Sequence, residues 1–145
     1  MGEAQYQRLA VSKNMPALIV IVDPDYGDSL ERAAQSAPVW IVDTKRNKAA
    51  CERLRNIFPR ADHREKGAVT SYKSPNPDDR LSSLLYIMPE LETHHGTLVA
   101  NEIIFPEGFV LGVIGLRMEL KVTNALRELG FRSFIETPEG FEACK

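Results

Sequence analysis

Cysteine is scarce in this chain: only Cys51 and Cys144 occur among 145 residues. They lack C-x-x-C spacing, so no disulfide framework or thiolate zinc site follows from them, and both are expected as free thiols. Long apolar runs are also missing. No stretch approaches the roughly 20 residues a helix needs to cross a bilayer. The opening MGEAQYQRLAVSKN has no apolar segment between a basic start and a small-residue cleavage site. A cytoplasmic location without membrane contact is the expectation. The sequence contains no G-x-G-x-x-G turn for a dinucleotide, no H-E-x-x-H pair for zinc and no G-x-S-x-G nucleophile elbow. No charge sign dominates, with 18 Lys and Arg against 20 Asp and Glu.

What is present is an ordinary globular mixture, 43% hydrophobic and 26% charged, in a length that suits one core. Residues 1–14 are polar and mixed and read as a flexible leader, and residues 15–145 as a single α/β domain. Ala17 to Val22 is a continuous aliphatic run, the pattern of a strand buried on both faces. Leu30, Ala33, Ala34 and Ala37 then share one helical face before Pro38. VWIV (39–42) and the face Ala50, Leu54, Ile57 and Phe58 repeat the unit. Strand, helix, strand and helix joined by short loops predict a parallel sheet.

Farther on, GAVTSY (67–72) predicts a third strand, with Asp78 or Asp79 capping a helix carried by Leu81, Leu84, Leu85 and Met88 and ended or kinked by Pro89. Residues 90–108 are irregular, with THHGT as loop and EIIF as a short strand. GFVLGVIG (108–115) is a buried strand. Val122, Ala125, Leu126 and Leu129 mark the last helix, and Gly130 with Phe131 predicts a Schellman stop. FRSFIE and GFEAC form a terminal hairpin. The fold class is therefore α/β: a single domain, a largely parallel sheet of β-α units with helices on both faces, and a C-terminal β-hairpin.

The stretch IVIVDPDYGDSLERAA concentrates carboxylates at a strand end, where open α/β sheets bind ligands. Asp28 with Glu31 three residues on reads as a capping box. Asp23, Asp25 and Asp43 divide between two readings. As a site, Asp23 and Asp25 would ligate Mg²⁺, and Asp43 with His94 or His95 as general acid or base would serve phosphoryl chemistry. As structure, they are turn and strand-end residues. Asp23-Pro24-Asp25 resembles the D-x-D motif of haloacid-dehalogenase-like phosphatases and Toprim nucleases, but Tyr26, Gly27 and Asp28 depart from the first pattern, and the earlier Glu of the second is missing. The acids would repel a pyrophosphate, which argues against NAD. His63, among charges, reads as a solvated surface residue.

From 45 to 66 the chain is locally basic, through Lys45, Arg46, Lys48, Arg53, Arg55, Arg60, Arg64 and Lys66. Lys45, Arg46 and Lys48 are the candidates for phosphate or nucleic-acid contact. Stacking partners are few, because Phe58 turns inward and Trp40 and Tyr86 read as core or interface.

DPDYG after the first strand, VWIVDT followed by Asn47, the HHG element and ALRELGF…ETPEGF together resemble a group of small bacterial proteins of unknown function. The resemblance covers most of residues 15–145 and implies a single domain and no particular activity. No complete catalytic constellation emerges, and each candidate has a structural explanation. The expectation is a non-catalytic interaction or regulatory domain without a cofactor, whose partner is another protein or a second copy of itself. The alternatives are a Mg²⁺-dependent phosphoryl-transfer or phosphodiester-cleaving enzyme, and RNA or nucleotide binding.

Overall fold

The structure, a computed structural model, describes residues 16–23, 27–43, 48–58 and 62–145. Residues 1–14, expected as a leader, and Asp25, Lys45 and Arg46 lie outside the described residues, as do the side chains of Asp28 and Asp43. In chain order the elements are β1 (Leu18–Ile21), α1 (Gly27–Ser36), β2 (Val39–Asp43), α2 (Lys48–Ile57), β3 (Val69–Lys73), α3 (Arg80–His95), β4 (Thr97–Val99), β5 (Glu102–Ile104), β6 (Val110–Ile114), α4 (Leu120–Glu128), β7 (Ser133–Thr137) and β8 (Gly140–Cys144).

One mixed six-stranded sheet has the order β3-β2-β1-β6-β8-β7. β1 pairs in parallel with β2 and β6, and β2 with β3. β8 runs antiparallel to both β6 and β7, so the sheet is mostly parallel with a C-terminal antiparallel pair. Strand alternation divides the core into two clusters. Leu18, Val20, Val22, Trp40, Leu111 and Val113 join Leu84, Ile87, Met88 and Leu91 of α3 and Val122 and Leu126 of α4. Ile19, Ile21, Val39 and Ile41 join Leu30, Ala33 and Ala34 of α1 and Cys51 and Leu54 of α2. The β1 run is apolar at every position because both of its faces are covered.

Capping chemistry fixes where the later helices begin and end. Asp79 accepts from the Ser82 backbone N–H at 3.2 Å and the Ser82 hydroxyl at 2.8 Å, which starts α3 at Arg80. At the other end of the chain, Phe131 N–H donates to Leu126 O at 3.2 Å and Gly130 N–H to Arg127 O at 2.9 Å, with Gly130 at φ +97°. This is the Schellman pattern read in the sequence. α1 starts at Gly27, two residues earlier than an Asp28 cap would place it, so Asp28 falls within the first turn.

Pro89 does not end its helix. α3 continues to His95, and the expected THHGT loop is instead the last helical turn, the Gly96 cap and the first residue of β4. Pro89 removes one backbone donor and costs about 3 kcal/mol in an exposed helix interior. Ile87, Met88 and Leu91 are buried on either side of it, and that packing holds the helix through the interruption.

Candidate functional site

Strand order reverses between β1 and β6: the chain winds outward from β1 to β2 and β3, then returns to the opposite side of β1. Such a switch point opens a crevice at the carboxyl ends of the strands. Asp23 follows β1 there, Gly115 follows β6, and Arg80 opens α3. Arg80 donates through one terminal nitrogen to the Asp23 carboxylate and through the other to the Gly115 carbonyl at 3.1 Å. Asp23 is buried while the Arg80 side chain is 43% exposed, so the guanidinium faces both protein and solvent. Gly115 has φ +90°, and a Cβ there would sit 2.2 Å from Asp23 O, so only glycine permits this approach.

Beyond Arg80 lies a cleft of about 660 Å³, bordered by Leu116–Glu119 on the way to α4 and by Glu136–Gly140 of the terminal hairpin. The cleft is tied at its base by Gly115 N–H donating to Glu139 O at 2.9 Å. Its charges are of both signs. Glu139 pairs with Arg32 at 3.5 Å and Glu119 with Lys121 at 3.9 Å, whereas Arg117 and Glu136 form no ion pair among the described residues.

The histidines form a separate group at the other end of α3. His63 and His94 lie 4.4 Å apart between ring centroids. Trp40, stacked on Tyr72 at 4.6 Å, borders His63, His94 and His95 at 4.9, 5.6 and 5.9 Å. The His63 Nδ1 and Thr70 hydroxyl share a hydrogen bond of 2.9 Å. Burial, and then the neighbouring His94, His63 and Arg64, push His95 down to about 4, while burial and then Glu90 push Tyr72 up to about 12. Trp40 Nε1 and His95 Nε2 are buried without a hydrogen-bond partner among the described residues.

Asp23 and the histidines are thus not brought together. α3 is 16 residues long, and Asp23 contacts its first residue while His94 and His95 are its last two. At 1.5 Å rise per residue that separation is roughly 20 Å. Asp43 ends β2, paired with Lys73 of β3, so β1 and β2 present Asp23 and Asp43 at the same edge of the sheet. Among the described residues no group of three or more His, Cys, Asp or Glu side chains is arranged to hold a metal ion. Lys48 is exposed at the start of α2. Arg53 pairs with Glu31 at 3.2 Å, and Arg55 donates to the Ser71 hydroxyl.

Two residues were not singled out by sequence reasoning. His63 is not a solvated charge-run residue: it is partly buried, with its ring against Trp40 and its Nδ1 hydrogen-bonded to the Thr70 hydroxyl. Arg80 carried no signal beyond following two aspartates that mark a helix start. Its partners at 23 and 115 are distant in sequence.

Comparison with protein-family models, curated proteins and solved structures found no match to this chain. No helix among the described residues is long and apolar enough to cross a membrane.

Proposed function

We propose that this chain is a non-catalytic interaction domain that self-associates through the β4–β5 ribbon. The observation that carries this reading is exposure. All six strand residues of the ribbon are exposed, including Leu98 at 69% and Val99 at 49%. Leu98 lies opposite Ile103 on one ribbon face, and Val99 and Ile104 stand on the other, so apolar side chains project from both. In this reading the sheet is largely parallel with helices on both faces, α1 and α2 on one and α3 and α4 on the other. The main core is thereby closed, and the ribbon is left outside it.

An isolated two-stranded ribbon is marginal in water, and its outer edges offer unpaired backbone groups. A second copy supplies the missing surface most economically, because a two-fold axis sets the same apolar ribbon against itself. Contiguous apolar exposure of this kind marks an interaction surface in a protein whose own core is complete.

Sedimentation equilibrium of the full chain, with the double variant Leu98→Lys/Ile103→Glu beside it, tests the reading. The expected result is a dimer for the parent chain and a monomer for the variant, with unchanged far-ultraviolet circular dichroism. A parent chain that stays monomeric up to high concentration overturns it, as does a variant that dimerises equally well.

A further inference from the structure

We propose that the cleft beyond Arg80 binds a small zwitterionic metabolite, one that carries an oxyanion and an ammonium group on the same molecule. The proposal is independent of self-association through the ribbon, because none of the cleft residues belongs to β4 or β5.

Position comes first. In an open sheet with this order, the crevice at the switch point is where backbone and side chains diverge and leave room for a ligand. Here the room is about 660 Å³, within the range of pockets that take metabolites. Two of its lining residues are glycines that tolerate no side chain. A Cβ on Gly115 would meet Asp23 O at 2.2 Å, and one on Gly140 would meet Val113 O at 2.1 Å. Backbone therefore meets backbone at both positions, which holds the end of β1, the end of β6 and the terminal hairpin in a fixed relation beside the cleft.

Charge selects the ligand. Arg80 spends one terminal nitrogen on Asp23 and the other on Gly115 O, which fixes the plane of the guanidinium. A guanidinium has five N–H donors in a rigid fork, so several remain for an incoming oxyanion. Arg117, from the segment leading to α4, adds a second positive group without an ion-pair partner among the described residues. Across the cleft, Glu136 of β7 is a carboxylate in the same condition. A purely anionic ligand would meet Glu136 and Glu139 unfavourably, and a purely cationic one would meet Arg80 and Arg117. A molecule with both charges satisfies each side.

The test is a titration of the full chain with the dipeptide alanyl-glutamate and with the free amino acids as zwitterionic probes, using inorganic phosphate and putrescine as single-sign controls. Binding is read by calorimetry and by shifts of the backbone amides of residues 115–119 and 136–140. The expected result is saturable binding of at least one zwitterionic probe, with the shifts confined to those segments. Arg117→Ala and Glu136→Ala should each weaken it by roughly tenfold, the loss of one charge-assisted hydrogen bond. Both positions are on the surface, and the same spectra report whether the variants fold. Binding of phosphate as tight as any zwitterion, binding that is indifferent to Glu136→Ala, or no binding of the zwitterionic probes at millimolar concentration overturns the proposal. The ribbon variant Leu98→Lys/Ile103→Glu should bind as the parent does, which keeps failure of this site distinct from failure of self-association.

Discussion

The Arg80 guanidinium donates to the Asp23 carboxylate across 57 residues of sequence and so joins the start of α3 to the end of β1. The same guanidinium reaches Gly115 O, so three segments of chain meet at one side chain. The carboxylates that stand out in the sequence are therefore not equivalent. Asp23 is engaged in holding the switch point together.

Arg80→Met tests that engagement. The substitution keeps much of the aliphatic stem and removes the charge facing the buried Asp23. The expected cost is about 1–3 kcal/mol, below the value for a fully buried pair because Arg80 is partly solvated. Urea denaturation should show a lower midpoint with an unchanged slope. Arg80→Lys should recover only part of the loss, since one ammonium does not reproduce two donors held in a fixed fork. An unchanged midpoint for Arg80→Met would mean that the pair contributes nothing.

Acid should weaken the fold through the histidine group. In the folded chain His95 is pushed from its ordinary 6.5 to about 4, first by burial and then by His94, His63 and Arg64. His63 is also lowered by burial and by His94, against Asp62 and Glu90, which raise it. Between pH 6.5 and 4 the unfolded chain takes up the His95 proton and the folded chain does not, so stability falls as pH drops through this window. The contribution is complete above about 6.5 and lost below about 4; the full shift corresponds to about 3 kcal/mol, and on the order of 2 kcal/mol is expected because the ring is partly solvated. Comparing the unfolding free energy of the parent and His95→Gln at several pH values isolates it. The parent should show the steeper loss, and parallel profiles would refute the assignment.

The ribbon turn carries a strained residue. Ala100 has φ 51° and Asn101 φ 68°, both positive, as a tight two-residue hairpin turn requires. Alanine in the left-handed region costs roughly 1 kcal/mol that glycine avoids. Ala100→Gly should increase amide protection across residues 97–104, read by hydrogen exchange, with little change in the core strands. Lower protection in the variant would show that the turn is not strained in this way.

The sequence made several elements legible because their causes are local. The aliphatic run of β1, the Leu30–Ala33–Ala34–Ala37 face, the Asp79 cap and the Gly130–Phe131 stop each depend on residues within one or two turns of one another. The terminal hairpin was legible for the same reason. Of the two outcomes open at Pro89, ending the helix is the one that does not occur: the local cost is real, while the burial of Met88 and Leu91 that offsets it comes from strands far away in sequence. His63 misled: its charged neighbours suggest solvent, and only the return of the chain toward Thr70 places it beside Trp40.

By itself, then, the sequence determined the α/β class, most helix and strand positions and the acid-bearing strand ends, since periodicity and capping act over a few residues. The tertiary structure decided which of those groups meet. It set Asp23 against Arg80 and Gly115, gathered His63, His94 and His95 at the opposite end of α3, and opened a cleft of mixed charge between the β6–α4 connection and the turn of the hairpin. Such encounters depend on strand order, and strand order is fixed by the packing of the whole sheet.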